Sequence, residues 1–170
     1  MAIYSLWIIN KAGGLVYQRE FAGAYVFGLT FRGELPSNLN SRCADGLAKL
    51  TSNEYLVLAG TLHGIHAITS RLSPISGPSP GAHVIESESF KMSILLTGTG
   101  EIHPCNSVHC YTGTKFVLLT SLAEFGSPAL LARVYEAYAD AVMKNPFHTP
   151  EMPIRSAGFD TRVAALIGGG

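Results

Sequence analysis

Charged residues are scarce in this sequence. Asp, Glu, Lys and Arg make up 14% of its 170 residues, whereas about 25% is typical of soluble domains. Twelve basic residues balance twelve acidic ones, which argues against a nucleic-acid partner or an anionic membrane surface. Because 47% of the residues are hydrophobic, we expect a subunit that covers apolar surface with partner proteins. The alternative is a lightly charged monomer.

Long apolar runs and paired cysteines are also missing. A membrane span needs roughly 18 consecutive apolar residues, and the longest apolar stretch, residues 55–62, is interrupted by Gly60. The N-terminal residues lack the basic start of a signal peptide. Three cysteines, Cys43, Cys105 and Cys110, form no disulfide framework and suit a reducing compartment. We therefore expect a cytosolic protein without a membrane span.

The sequence contains no credible set of catalytic residues. Residues 77–81, GPSPG, match the G-x-S-x-G pattern of hydrolases, but Pro80 lacks the backbone N–H that the oxyanion hole needs. The glycine-rich residues 97–101 lack the Gly-Lys-Ser/Thr of a phosphate-binding loop. We therefore expect a protein that is not an enzyme and that binds no nucleotide cofactor.

A metal site is not indicated either. The spacing of the nearest candidates does not match the paired ligands of structural zinc sites. On the first helix, two histidines three residues apart are more typical of a core or an interface than of metal ligation. The residues concerned are His103, Cys105, His109 and Cys110, and on the helix His63 and His66.

The pattern of apolar and turn-forming residues predicts one α+β domain, residues 1–170, with an antiparallel sheet. Thr51 and Glu54 form a capping-box pattern at the start of the first helix, and Pro74 ends it. Pro128 suits the first turn of a second helix. The predicted elements are strands at 2–9, 15–21, 84–96 and 108–120, helices at 51–73 and 127–145, and a short helix around 159–167.

The two long helices differ on the sides turned away from their apolar stripes. The second has Arg133, Glu136, Asp140 and Lys144 at spacings typical of a solvated face. The first has no charge between its ends, and two glycines, each costing about 1 kcal/mol in a helix, favour close approach of another backbone. One alternative is packing against the chain's own residues 22–49. Opposite the stripe of Leu58, Leu62 and Ile65, the predicted interface comprises Leu56, Val57, Gly60, Gly64 and Ala67.

The segment 144–155, here called the closing segment, is a second candidate interface. Its prolines stiffen it, and its mixture of exposed apolar and basic residues is typical of interface anchors. The alternative is that Phe147 and Met152 fold back onto the sheet as core. The candidate residues are Lys144, Asn145, Pro146, Phe147, Met152 and Arg155.

Several blocks of the sequence, in order along the chain, resemble one family, among them AIYSLWIINKAGGLVYQ, LTSNEYLVLAG, CYTGTKFVLLT and VYEAYADAVMKNPFHTPEMPIR. They are similar to the synbindin-type subunits of the TRAPP vesicle-tethering complex. This resemblance implies a longin-like fold, with a five-stranded antiparallel sheet, one helix on one face and two on the other. A longin-type subunit of another trafficking complex, such as an adaptor small chain, is the alternative.

The resemblance also implies partners and a location. The partners would be a second longin-like TRAPP subunit, Bet3-family subunits and a Rab GTPase whose nucleotide exchange the complex supports in ER-to-Golgi transport. The chain would be cytoplasmic and peripheral at the endoplasmic reticulum and the cis-Golgi. It would contribute contact surface rather than a chemical group, and we place Lys144 and Arg155 near the GTPase or a neighbouring subunit.

Two stretches depart from the family pattern. Residues 22–50 are too short for the PDZ-like module that some relatives insert, so we expect a loop there. Residues 93–108 separate blocks that run together in the family. They are an inserted loop or an artefact of the gene model.

Overall fold

The computed structural model describes residues 3–21, 50–72, 74, 79, 81–97, 113–123, 126–149 and 151–168. The polypeptide alternates strands and helices much as the apolar periodicity predicts. The elements are β1 (Ile3–Ile9), β2 (Leu15–Glu20), α1 (Ser52–Arg71), β3 (Val84–Glu86), β4 (Lys91–Leu96), β5 (Lys115–Thr120), α2 (Ser127–Tyr138), which continues as a π-helical segment (Ala139–Met143), and α3 (Ala157–Gly168).

The strands form one five-stranded antiparallel sheet in the order β2-β1-β5-β4-β3. The predicted α+β class is therefore confirmed. The predicted strand 84–96 is wrong as one element, because the chain turns at residues 87–90, where the Ser87 N–H donates to the Phe90 carbonyl at 2.9 Å. Within the part of the chain described, β5 begins only at Lys115.

The predicted inserted loop does not begin at residue 93. Ser93–Leu96 belong to β4 and pair with β5 in regular antiparallel register. Met92 and Ile94 are buried on one face and Ser93 on the other, so this stretch alternates as a core strand does. Residues 98–108 of that loop, and residues 22–49 of the loop predicted without a PDZ-like module, lie outside the described residues.

The sheet separates two apolar cores. Along β1, Leu6 and Ile8 join the core formed with α2 and α3, whereas Trp7 and Ile9 join the core formed with α1. Successive side chains of a strand point to opposite faces. One helix therefore covers one face and two helices cover the other.

Both helix starts follow their sequence signals. The Glu54 N–H donates to Thr51 Oγ1, and the Thr51 N–H donates to the Glu54 carboxylate at 2.6 Å, which completes the predicted capping box. Pro128 occupies the first turn of α2. The C-terminal helix is longer than predicted, since it begins before Phe159, whose N–H donates to Ser156 Oγ.

Candidate functional site

The sheet side of α1 is rotated relative to the predicted stripe. Its buried residues are Tyr55, Ala59, Leu62 and His66. Ile65 was expected to face inward, but it is exposed, and so is Leu72 near the end of the helix. Leu62 is buried as predicted, but the stripe continues to His66 and not to Ile65. The small Ala59 and the aromatic Tyr55 and His66 define the true phase of the helix, and at 100° per residue they turn Ile65 towards solvent.

The opposite side of α1 is apolar and exposed. Val57 is 68% exposed, and Leu56 and Ile68 are also more than half exposed. A Cβ atom added to Gly60 or Gly64 would meet no atom within 4 Å. We call this surface the outer face of α1, and it comprises Leu56, Val57, Gly60, Gly64, Ile65, Ala67, Ile68 and Leu72.

The outer face of α1 is a ridge with a recess. Val57 and Ile68 stand on either side of the two glycines along the helix, and no charged residue lies between Glu54 and Arg71. The missing side chains allow a neighbouring backbone to approach closely. Sequence reasoning had identified the glycines but missed Ile65, Ile68 and Leu72. The alternative that residues 22–49 cover this face lies outside the described residues.

The closing segment is attached to the sheet at one point and exposed elsewhere. Ile154 is buried, and its N–H donates to the Val16 carbonyl at 2.8 Å, beside the edge strand β2. Phe147 is 93% exposed and Met152 58% exposed. The alternative that these two side chains fold back as core is therefore wrong, because Ile154 occupies that role.

The middle of the closing segment has an unusual backbone conformation and an exposed charged contact. Glu151 has a φ of 77°, in the left-handed region that costs a non-glycine residue energy. Its carboxylate pairs with Lys11 Nζ at 3.3 Å, at the tip of the β1–β2 hairpin. The surrounding groove has a volume of about 260 Å³, and Asn145, Phe147 and Arg155 are among its lining residues. The closing segment thus lines a groove at the protein surface.

The two basic candidates of the closing segment differ in what they contact. Lys144 pairs with Asp140 one turn earlier, and the hydrogen bond from Lys144 lowers the pKa of the Asp140 carboxyl. Arg155 is exposed and forms no ion pair with any described residue. Arg155 is therefore the freer of the two to meet an acidic partner.

The two candidate surfaces lie on different layers. The outer face of α1 lies beyond one face of the sheet, whereas the closing segment follows α2 and its π-helical continuation on the other side. No described contact joins them. The predicted site residues are thus all on the surface, but they form two separate patches.

Within the described ranges, no group of three or more His, Cys, Asp and Glu residues is placed to hold a metal ion. His103, Cys105, His109 and Cys110 lie outside those ranges. His66 is buried, and His63 contacts the buried Lys115. Among the helices described, none has the length and apolar character that a bilayer crossing requires.

Comparison with known proteins gives a family match over nearly the whole chain. The model of the Sybindin-like family matches residues 3–169. The chain belongs to the Sybindin-like family. It is 36% identical over 168 residues to the Trafficking protein particle complex subunit 4 of Dictyostelium discoideum, covering 99% of this chain and 98% of that protein.

Vertebrate members of the Sybindin-like family are more distant. The human Trafficking protein particle complex subunit 4 is 31% identical over 216 residues, covering 94% of this chain and 91% of that protein; the mouse protein of the same name is 30% identical over the same length. An alignment of 216 positions exceeds the 170 residues here, so the human relative contains segments that this chain lacks. The family suggested by the sequence blocks is confirmed, and the fold described above is its longin-like fold.

Proposed function

We propose that the chain is a non-catalytic core subunit of the TRAPP complex, supporting nucleotide exchange on a Rab GTPase and vesicle tethering in ER-to-Golgi transport. Its partners are a second longin-like subunit, Bet3-family subunits and the GTPase, and it resides in the cytoplasm at the endoplasmic reticulum and Golgi. Support comes from the Sybindin-like family match and from relatives named as subunits of the trafficking protein particle complex.

The observation that carries the proposal is the outer face of α1. Its exposed side chains, Val57 and Ile68 among them, are aliphatic, and its glycines leave room for a neighbouring main chain. Burying one such aliphatic side chain contributes roughly 1.5–3 kcal/mol. Such a surface is better suited to a stable subunit contact than to water. We assign it to the neighbouring longin-like subunit.

The closing segment supplies the second contact. Phe147 is nearly fully exposed near the start of the closing segment, where its N–H donates to Asn145 Oδ1, and Ile154 attaches the end of the segment to β2. An exposed aromatic on a fixed backbone is a suitable anchor, since little conformational entropy is lost on binding. Arg155 lies on the same segment and is available to an acidic group of the GTPase or of another subunit.

Two surfaces on different layers suit a subunit that joins neighbours. Exchange on a GTPase requires that binding energy be used to hold a conformation in which the nucleotide site is open. A subunit can contribute by positioning other proteins without bringing a catalytic side chain. This role suits a chain whose described residues present two contact surfaces.

The test is affinity purification of the tagged chain carrying Gly64→Trp, with mass spectrometry of the proteins retained. Gly64 is open to solvent, so the variant should fold, as circular dichroism would show. We expect loss of the longin-like partner and slower nucleotide release from the GTPase in the reconstituted complex. Glu136→Trp, on the exposed side of α2, is the matched control and should retain the partners.

If Gly64→Trp retains all partners, the outer face of α1 is not the subunit contact. If the unmodified chain retains a large adaptin-type chain instead of TRAPP subunits, the chain belongs to another trafficking complex. Nucleotide release that is unaffected by omitting the chain would contradict its role in exchange.

A further inference from the structure

A lysine is buried beside a histidine at the start of β5. Lys115 is only 5% exposed, and its Nζ is 3.2 Å from His63 Nδ1 on α1. Neither residue forms an ion pair with a carboxylate among the described residues. A buried ammonium group is costly without a hydrogen-bond acceptor. Among the described residues, the imidazole is the acceptor that lies within reach of this ammonium group.

This contact links the protonation state of His63 to the charge of Lys115. While Lys115 is charged, its ammonium group can only donate hydrogen bonds, so Nδ1 of His63 accepts and the imidazole is neutral with its proton on Nε2. Burial, and then the charge of Lys115, hold the pKa of His63 below its usual value. Burial also lowers the pKa of Lys115.

The same imidazole packs against the tip of the β1–β2 hairpin. Gly13 has a φ of +88°, and a Cβ added there would lie 3.1 Å from His63 Cγ. The Asn10 side chain accepts hydrogen bonds from the N–H groups of Ala12 and Gly14, and the Gly13 N–H donates to the Asn10 carbonyl. The turn is thus held in shape from within, and it meets α1 through His63.

We propose that His63, Lys115 and the turn 10–14 form an acid-sensitive latch between α1, β5 and the hairpin tip. The latch is closed while the imidazole is neutral. A proton on Nδ1 removes the acceptor and places a second cation against Lys115. The two groups then separate, and His63 leaves its position against Gly13.

Other charged groups on the surrounding elements are engaged elsewhere or lie at element ends. Lys11 pairs with Glu151, Lys91 pairs with Glu86, and Glu20 accepts a hydrogen bond from Tyr55. His66 is buried one turn further along α1. The charged residues on the turn, β2, β4 and α1 are Lys11, Arg19, Glu20, Lys91, Glu54 and Arg71.

The latch borders the outer face of α1, because His63 neighbours Gly60 and Gly64 on the helix. Opening it would bring positive charge next to an uncharged surface. This consequence for partner binding rests on the proposed function, whereas the latch itself is a property of the isolated chain. Measurements on the full-length chain alone therefore test the latch separately.

The experiment is an NMR titration of the full-length chain from pH 8 to pH 5, following the His63 ring carbons and the Gly13 amide. We expect the His63 midpoint below about 6.5, the ordinary histidine value, and a Gly13 amide shift with the same midpoint. In Lys115→Met, the His63 midpoint should move upward.

His63→Gln should abolish the Gly13 titration. His83→Gln, at an exposed histidine next to β3, is the control that should leave it unchanged. A His63 midpoint at or above the ordinary value, or a Gly13 amide that does not titrate with it, would overturn the proposal. If either single variant fails to fold, the unmodified chain still tests the proposal, because the midpoints of His63 and of the Gly13 amide must coincide.

Discussion

The outer sides of α1 and α2 have the same helical geometry and opposite chemistry. On α2, Arg133, Glu136 and Asp140 are exposed, and the Asp140 carboxylate meets both Lys144 and Arg162. On α1, Val57 and Ile68 are exposed over a long stretch without charge. Each helix buries its other side against the same sheet. Burial alone therefore does not distinguish them, and the difference lies in what each exposes.

The difference separates a solvated face from a contact face. Charged side chains pay a desolvation penalty on burial in an interface, so the α2 face is suited to remain in water. Aliphatic side chains gain by leaving water. Glycines weaken a helix. The proposed close approach of a partner gives a reason for the two glycines of α1, whereas exposure to water alone gives none. The comparison thus supports the proposal that α1 binds a partner.

The largest expected effect is that of a carboxylate on the outer face of α1. Val57→Asp should lower the affinity for the longin-like partner by about a hundredfold, because an unpaired carboxylate is costly to bury. Val57 is the sixth residue of its helix, and Ala132 is the sixth of α2. Ala132→Asp therefore places a carboxylate at the same distance from a helix N-terminus and is the matched control.

Affinities of the two variants can be measured by titration calorimetry with the purified partner. Equal weakening by Val57→Asp and Ala132→Asp would mean that the two faces are not functionally different. No weakening by Val57→Asp would remove the contact from α1.

The elements that depend on short-range sequence signals could be predicted from the sequence. The capping box of Thr51 and Glu54, the hairpin around the turn 10–14 and the Pro128 helix start depend on neighbouring residues, and the structure has them where predicted. The break between β3 and β4 was missed. It depends on a backbone turn at 87–90 without glycine or proline, which no strong local signal marks.

The candidate surfaces were predictable only in part. The absence of charge on α1 identified a side of the helix that the structure leaves exposed, but the phase of the helix depends on which residues fit against Trp7 and Val117 in the core. Packing of that kind is a tertiary property. The pairing of Lys115 with His63, residues far apart in the chain, left no pattern in the sequence at all.

A smaller effect should follow from exchanging glycine and alanine between the two faces. Gly60→Ala should stabilise the isolated chain by about 1 kcal/mol, since the new methyl group meets no atom within 4 Å. The same methyl group should weaken partner binding by occupying the recess. On α2, Ala132→Gly should cost about 1 kcal/mol of stability and leave binding unchanged.

Urea unfolding of the isolated chain and calorimetry with the partner measure the two quantities separately. Stabilisation by Gly60→Ala without any loss of affinity would show that the glycine serves no close approach. The comparison of the faces would then depend on Val57 and Ile68 alone.

The smallest expected effect is on α2. Lys144→Ala removes the ion pair with Asp140, which is solvent-exposed, and exposed pairs contribute little to stability. Because Lys144 lowers the pKa of Asp140, the pair stabilises the fold above the ordinary carboxyl pKa and loses that contribution as the pH falls through the lowered value. The variant should therefore raise the Asp140 midpoint in an NMR titration while the melting temperature at pH 7 stays within error. A marked drop in melting temperature would show that the charged residues of α2 also contribute to stability. The outer sides of α1 and α2 would then differ less than proposed.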